Sequence, residues 1–454
     1  MVPDGSDATL DLPFAVADVY ARRRARIARR LGDGVLVLGG GELRARSNDT
    51  EYRFRPDSDF YYLTGLREPG AVLVLRGTAE PRFVLFVRPR DPEAEVWAGR
   101  RVGPEGALAR YGADAAHPIG ELAEQLPKLL DGASEVHVPL GRWRAIDQAV
   151  MRAIDHLRRR NRWGETPPEL LRDARATLGE DRIHKDAGAL ACLRRAIDIT
   201  VDAHLAGMAA TRPGVHEYEI EALLEYEFRR RGASGPGYGT IVGTGANATI
   251  LHYVDNESQL RAGELVLVDA GAELELFSGD LTRTVPVSGK FSTAQRDLYD
   301  VVLAANLAGI AGATVGGNID AIHQICLRIL TQGLVDFGWI EGSVDAALEQ
   351  ELFKPWYMHR TSHWLGADVH DAGYYTLQRA PRPLQPGFVL TVEPGLYVSE
   401  TCEKAPPELR GTGIRIEDDV LVADAGPEVL TWRAPKTIDA IEAIVGTATG
   451  SGQQ

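Results

Sequence analysis

The sequence predicts an α/β protein of two domains, in the broader α+β sense that strands and helices mix, with a second domain built from two related halves. Three observations carry this. Short apolar runs alternate with helical or turn-rich segments over the first 175 residues. A long amphipathic helical pattern then opens the second part. Within that part, "GELVLVDAG" (263–271) aligns with "GFVLTVEPG" (387–395), matching Gly263 to Gly387, Asp269 to Glu393 and Gly271 to Gly395. A chain of 454 residues, 44% hydrophobic, can fill two cores.

The first element is a helix carrying Arg22, Arg23, Arg24, Arg26, Arg29 and Arg30, with Val19, Ile27 and Leu31 as its apolar stripe. The arginines are read as its wet face. "GVLVLGG", "AVLVLRG", "RFVLFVRP" and "EVHVPLG" are strands. Gly164, Pro167 and Pro168 in "RWGETPPELLRD" place the boundary shortly after it, giving domains 1–175 and 176–445.

The second domain opens with a helix over about 187–210, whose Leu190, Leu193, Ile197, Val201, Leu205 and Met208 share a face. A second helix starts near Glu217. A third starts near Ser292, which forms a capping box with Gln295. The tail 446–454, "GTATGSGQQ", is read as disordered.

Composition excludes several classes. With Lys+Arg 50 against Asp+Glu 64 the net charge is −14, which argues against nucleic acid as a partner. No apolar run approaches the roughly 18 residues of a membrane span. Cys192, Cys326 and Cys402 are odd in number and far apart, pointing to a reducing compartment without a thiolate metal site. "MVPDGSDATLDLPF" lacks a basic start followed by an apolar run, so a cytoplasmic location is expected.

Each repeated strand is followed by another that bears an acid, Asp280 in "SGDLTRTVPV" and Glu417 in "GIRIEDDVLV". Alternation puts Asp269 on the face of Leu265 and Leu267. A buried carboxylate costs several kcal/mol unless it is paired or binds metal. Four acids at matched positions repel one another, and a cation makes the cluster stable. Oxygen donors with at most one imidazole suit Mn²⁺, Mg²⁺ or Co²⁺ better than a thiolate-type zinc site.

The segment "MHRTSHWLGADVHD" holds His359, His363 and His370 within twelve residues, and His252 follows a Gly-rich turn. His204, His216 and His323 are read as structural. "HEYEI" lacks the second imidazole of a zincin helix. "GTGANA" is followed by "TILHYV", read as strand rather than the helix a dinucleotide site needs.

"VDAGAE…SGDLTRTVPV", "HWLGADVHD", "TVEPGLY" and "GTGIRIEDD" resemble, in order, the metal motifs of the aminopeptidase P and prolidase family. "SNDTEYRFRPDSDFYYLTGLREPGAVLVL" resembles the N-terminal domain of bacterial aminopeptidase P. The resemblance implies a pita-bread catalytic fold and two divalent metal ions, Mn²⁺ being expected, with Co²⁺ or Zn²⁺ as alternatives. It implies that Asp269 binds one metal, Asp280 and Glu417 bridge both, and His363 and Glu393 complete the second. A hydroxide between the ions is the implied nucleophile and Glu393 the general base. His252, His359 and His370 match positions that bind substrate, stabilise the oxyanion and move protons. Arg415 and Tyr397 match pocket positions, and Trp97 a tryptophan that can wall a pocket, in some members that of a neighbouring subunit.

The implied substrate is a peptide with proline second, cleaved at the Xaa–Pro bond by a homodimer or homotetramer. That bond is a tertiary amide without an N–H, so a dedicated pocket is needed. Prolidase, which takes only the dipeptide, is the alternative within the same chemistry. A non-catalytic peptide-binding module on the same fold is the alternative outside it, disfavoured by the intact ligand set. Arg360 and Thr361 depart from the family pattern, which has a small residue there.

Overall fold

The computed structural model describes residues 16–448, in two compact units that meet between Asp181 and Arg182. This lies a few residues beyond the expected boundary at 175. The helix Ala174–Arg182 sends Ala174 and Leu178 into the core of the N-terminal unit and carries most of its length there.

The N-terminal unit is built on a six-stranded mixed sheet, beside a two-stranded pair of Ala45–Ser47 and Thr50–Glu51. The order of the six strands is Ala115–Pro118, Phe83–Val87, Val72–Arg76, Val35–Gly39, Glu135–Val138, Leu170–Asp173. Alternation divides its side chains between two cores. Leu36, Leu38, Leu73, Leu75 and Leu85 pack against Ile27 and Leu31 of the helix Val16–Leu31 and against Phe60 and Leu63. Val35, Val37, Val72, Val74 and Val136 face the helix Arg144–Arg160 through Ile146, Val150 and Leu157.

The arginine face is not uniformly wet. Arg23 is 3% exposed over the Tyr62 ring, and Arg24 donates to the Leu63 carbonyl at 2.8 Å above the Phe83 ring. Arg26 pairs with Asp181 at 2.9 Å. A guanidinium on a long stem can dock its head on carbonyls and ring faces that a helical wheel does not show.

In the C-terminal unit the helices Ala187–Ala210, Glu217–Arg230 and Thr293–Gly312 start where expected, and the Ser292–Gln295 box is present. The repeat is visible in the backbone. Leu265–Asp269 pairs antiparallel with Thr282–Pro286, and Val389–Val392 pairs antiparallel with Asp418–Ala423. The matched glycines Gly263 and Gly387 both have φ of +89°, a left-handed turn feeding each strand that a side chain would strain.

Arg283, 1% exposed, stitches the halves by donating to Asp418 at 2.8 Å and to the Ala434 carbonyl at 3.0 Å. "TILHYV" is a turn rather than a strand, because Gly245–Thr249 closes as a 3-10 helix and leaves no flat edge to extend. The expected disordered tail is tied down at its start. The Gly446 N–H bonds the Met208 carbonyl and the Ala448 N–H that of Ala209; residues 449–454 lie outside those described.

Candidate metal centre

A cavity of 820 Å³ in the C-terminal unit is lined by Asp269, Asp280, His252, His359, His363, His370, Glu393, Arg415 and Glu417, among others. The fold delivers these groups from strand ends. Asp269 closes Leu265–Asp269, and Asp280 precedes Thr282–Pro286. Glu393 sits between Val389–Val392 and Gly395–Val398, and Glu417 between Thr412–Arg415 and Asp418–Ala423.

Asp280, His363 and Glu417 each bring a ligand atom within 4.8 Å of the others. His363 Nε2 lies 3.3 Å from Asp280 and 3.6 Å from Glu393. Its Nδ1 lies 3.0 Å from the Trp364 carbonyl, which fixes the ring and turns Nε2 toward the acids. Burial works against a proton on His363, but the hydrogen bond to Asp280 and the charge of Glu393 push it up to about 9. Burial, then Asp280, Glu393 and Asp269, holds Glu417 well above the carboxylate range. Burial likewise raises Glu393 to about 7. Protons thus answer a surplus of negative charge that a divalent cation would answer better. Five such donors, all but one carboxylates, fit a hard or borderline divalent ion.

Three groups that hold these acids were not singled out from sequence. The Tyr238 hydroxyl is 2.6 Å from Asp269 and 2.6 Å from Asp280, and burial and those charges keep it protonated. Thr282 donates to Glu417 at 2.7 Å and accepts from Arg415 at 3.1 Å. Asp419 accepts the Asp280 N–H at 3.1 Å. Thr282 carried a signal, since it lies two positions after Asp280; Tyr238 carried little beyond its place in "GPGYG".

Arg415 donates to Asp269 at 2.6 Å and to the Tyr397 hydroxyl at 2.9 Å. Tyr397, expected on the pocket wall, is 1% exposed and lies one layer behind it. Its strand Gly395–Val398 turns it toward Arg415 and His359. His359 Nε2 is 2.8 Å from that hydroxyl and its Nδ1 is 2.8 Å from the Arg360 carbonyl. Burial and then Arg415 push His359 down to about 3, so the ring is neutral, donates through Nδ1 and accepts through Nε2. Both nitrogens are therefore engaged by the protein. The His370 ring stacks edge-on to His363 at 4.4 Å, and His252 lies on the cavity wall. Trp97, on the N-terminal unit, is 90% exposed and is not among the cavity-lining residues.

Residues 191–424 match Metallopeptidase family M24 and residues 20–138 the Aminopeptidase P, N-terminal domain. The chain is 42% identical to the Xaa-Pro aminopeptidase of Escherichia coli (strain K12) over 433 residues, 94% of this chain and 98% of that one. Its structure is similar to that of Pseudomonas aeruginosa aminopeptidase PepP, with a TM-score of 0.92 and 41% identity over 95% of this chain and 98% of that one. It is also similar to aminopeptidase P from E. coli with the inhibitor Pro-Leu, with a TM-score of 0.91 and 41% identity over 95% and 98% of the two chains.

Proposed function

The chain belongs to metallopeptidase family M24, with the pita-bread catalytic domain and the aminopeptidase P N-terminal domain, and on that premise we propose that it releases the N-terminal residue from peptides with proline second. The observation that carries this is the convergence of four acids and His363 in one cavity. Asp269, Asp280, His363, Glu393 and Glu417 would hold two divalent ions, with Mn²⁺ the reading that suits a donor set of one imidazole and four carboxylates. Bound there, the ions would supply Lewis acidity and make water a nucleophile near neutral pH.

The chain's own residues do the rest. Glu393, on the cavity wall, holds and passes the proton at its carboxylate. Ile241, Leu251, Val254, Ile319 and Val369 give the pyrrolidine ring an apolar wall. Arg415 and Tyr238 hold the two carboxylate oxygens of Asp269, so that it does not swing when substrate enters. His252 and His370 face the cavity and can donate to an oxyanion. His359 serves as part of the wall, locked by Tyr397 and Arg360.

The exposure of Trp97 supports a homodimer or homotetramer in which a neighbouring copy covers it. Three free cysteines fit a reducing, cytoplasmic setting. The deciding experiment compares hydrolysis of a Xaa-Pro dipeptide and a Xaa-Pro-Xaa tripeptide, with metal content measured on the same sample. Tripeptide cleavage with two ions per chain is expected. Cleavage of the dipeptide alone makes the enzyme a prolidase, and no cleavage by metal-loaded protein makes it a binding module.

A further inference from the structure

Two charged side chains of the cavity wall have no place in the chemistry above. Arg360 and Asp320 both line the cavity and form an ion pair with each other. Asp320 stands in the first turn of the helix Ile319–Asp336. Arg360 follows His359, whose ring holds the Arg360 carbonyl at 2.8 Å and so fixes the backbone from which its side chain departs.

Burial separates this pair from the other charges of the cavity. Asp269, Asp280, Glu417 and Arg415 are buried, and the Glu393 side chain is 17% exposed. The Arg360 side chain is 60% exposed and that of Asp320 47%. The four acids therefore form the floor and the ion pair stands at the mouth. Of the two cations in the lining, Arg415 already donates to Asp269, Tyr397 and Thr282. Arg360 is held by one exposed carboxylate, and a pair that open to water contributes little and exchanges partners readily.

An aminopeptidase substrate enters with its ammonium end toward the acidic floor. Everything beyond proline must leave through the mouth, past Arg360. Guanidinium recognises carboxylate by a planar fork of donors. Resting on the Xaa-Pro aminopeptidase reading, we propose that Arg360 is a specificity-determining residue that trades Asp320 for a carboxylate on the residue after proline. That carboxylate is either the free C-terminus of a tripeptide or an acidic side chain at the third position.

The test measures kcat and KM with Mn²⁺-loaded protein for four substrates: Ala-Pro-Ala as acid and as amide, and Ala-Pro-Glu-amide beside Ala-Pro-Gln-amide. Wild type should favour the carboxylate member by about 3–10-fold in kcat/KM, mostly through KM. The preference should shrink from about 0.01 M to about 1 M salt, where the Debye length falls from about 30 to about 3 Å. R360Q should bring the ratio to about one, and D320N should raise it by removing the competitor. A preference in the first pair alone places the recognised group at the C-terminus, and in the second pair alone at the side chain. A ratio that survives R360Q, or that does not rise in D320N, overturns the exchange. Failure to cleave any of the four substrates would instead overturn the function on which it rests.

Discussion

Lys185 Nζ lies 2.8 Å from Asp371 Oδ2, with both side chains 1% exposed. Arg182 joins Asp371 from the other side and reaches Asp368 at 2.7 Å. Lys185 is itself fixed, because its N–H bonds the Gly387 carbonyl at the start of a repeated strand. The pair therefore bolts the 363–371 loop, which carries His363 and His370, to the sheet that carries Glu393.

Removing one member of such a pair strands a buried charge. D371N should destabilise the protein by about 3–5 kcal/mol, and K185M by less, because Asp371 keeps Arg182. The double variant K185M/D371L should cost less than the sum of the singles, because the Lys185 charge goes with its partner and Arg182 keeps Asp368. Denaturant unfolding of the three variants checks this, and simple additivity would refute it.

Acid should act on the same bolt. Burial alone would raise Asp371, but Arg182 and then Lys185 outweigh it and hold the carboxyl below its usual range. A carboxyl lowered in the folded state contributes stability in full above its ordinary pKa of about 4 and loses it as pH falls through the lowered value. The stability gap between wild type and D371N should thus be constant near neutral pH and narrow below about pH 4. Unfolding curves at stepped pH read it directly.

The histidines should divide by metal content. His363→Ala and Glu417→Ala should lose bound metal together with activity, since both donate to the ligand cluster. His252→Ala and His370→Ala should keep their metal and lose about 10²–10³ in kcat, the usual cost of an oxyanion donor. Metal content by mass spectrometry beside kcat decides it. If His370→Ala drops metal as His363→Ala does, His370 is a ligand and the division fails.

Metal uptake should release protons. In the metal-free protein His363 is pushed up to about 9, above the ordinary imidazole value of about 6.5, by its hydrogen bond to Asp280 and the charge of Glu393. At pH 7 it must give up about one proton to become a ligand. Titration calorimetry with Mn²⁺ in two buffers of different ionisation enthalpy should show that proton together with any that Glu417 and Glu393 give up, and affinity should fall as pH is lowered. H363A should release correspondingly less.

Much of this site was legible because it repeats. Asp269 and Glu393 declare themselves as acids ending matched apolar strands, and the Ser292–Gln295 box is a local signal that packing did not override. His359, His363 and His370 cluster in one stretch. What stayed hidden lies where chemistry depends on distant chain. Tyr238 matters because two remote acids converge on its hydroxyl. The edge strands Ala115–Pro118 and Leu170–Asp173 are short and half-buried or exposed, so they lack an apolar run to announce them. Arg23 and Arg24 read as solvated because the rings that receive them come from other elements.

The seam between the repeated halves also dictates a schedule. Synthesis runs from the N-terminus, and the first half emerges with Asp269 and Asp280 already in place. Arg415, which neutralises Asp269, follows 146 positions later, and Glu417 comes 135 positions after the threonine that orients it. Such distant closures come last on the folding path. The cation cage therefore closes only after Arg415 and Glu417 have been made. An ion that needs both halves as ligands has its full donor set only once that late closure is made.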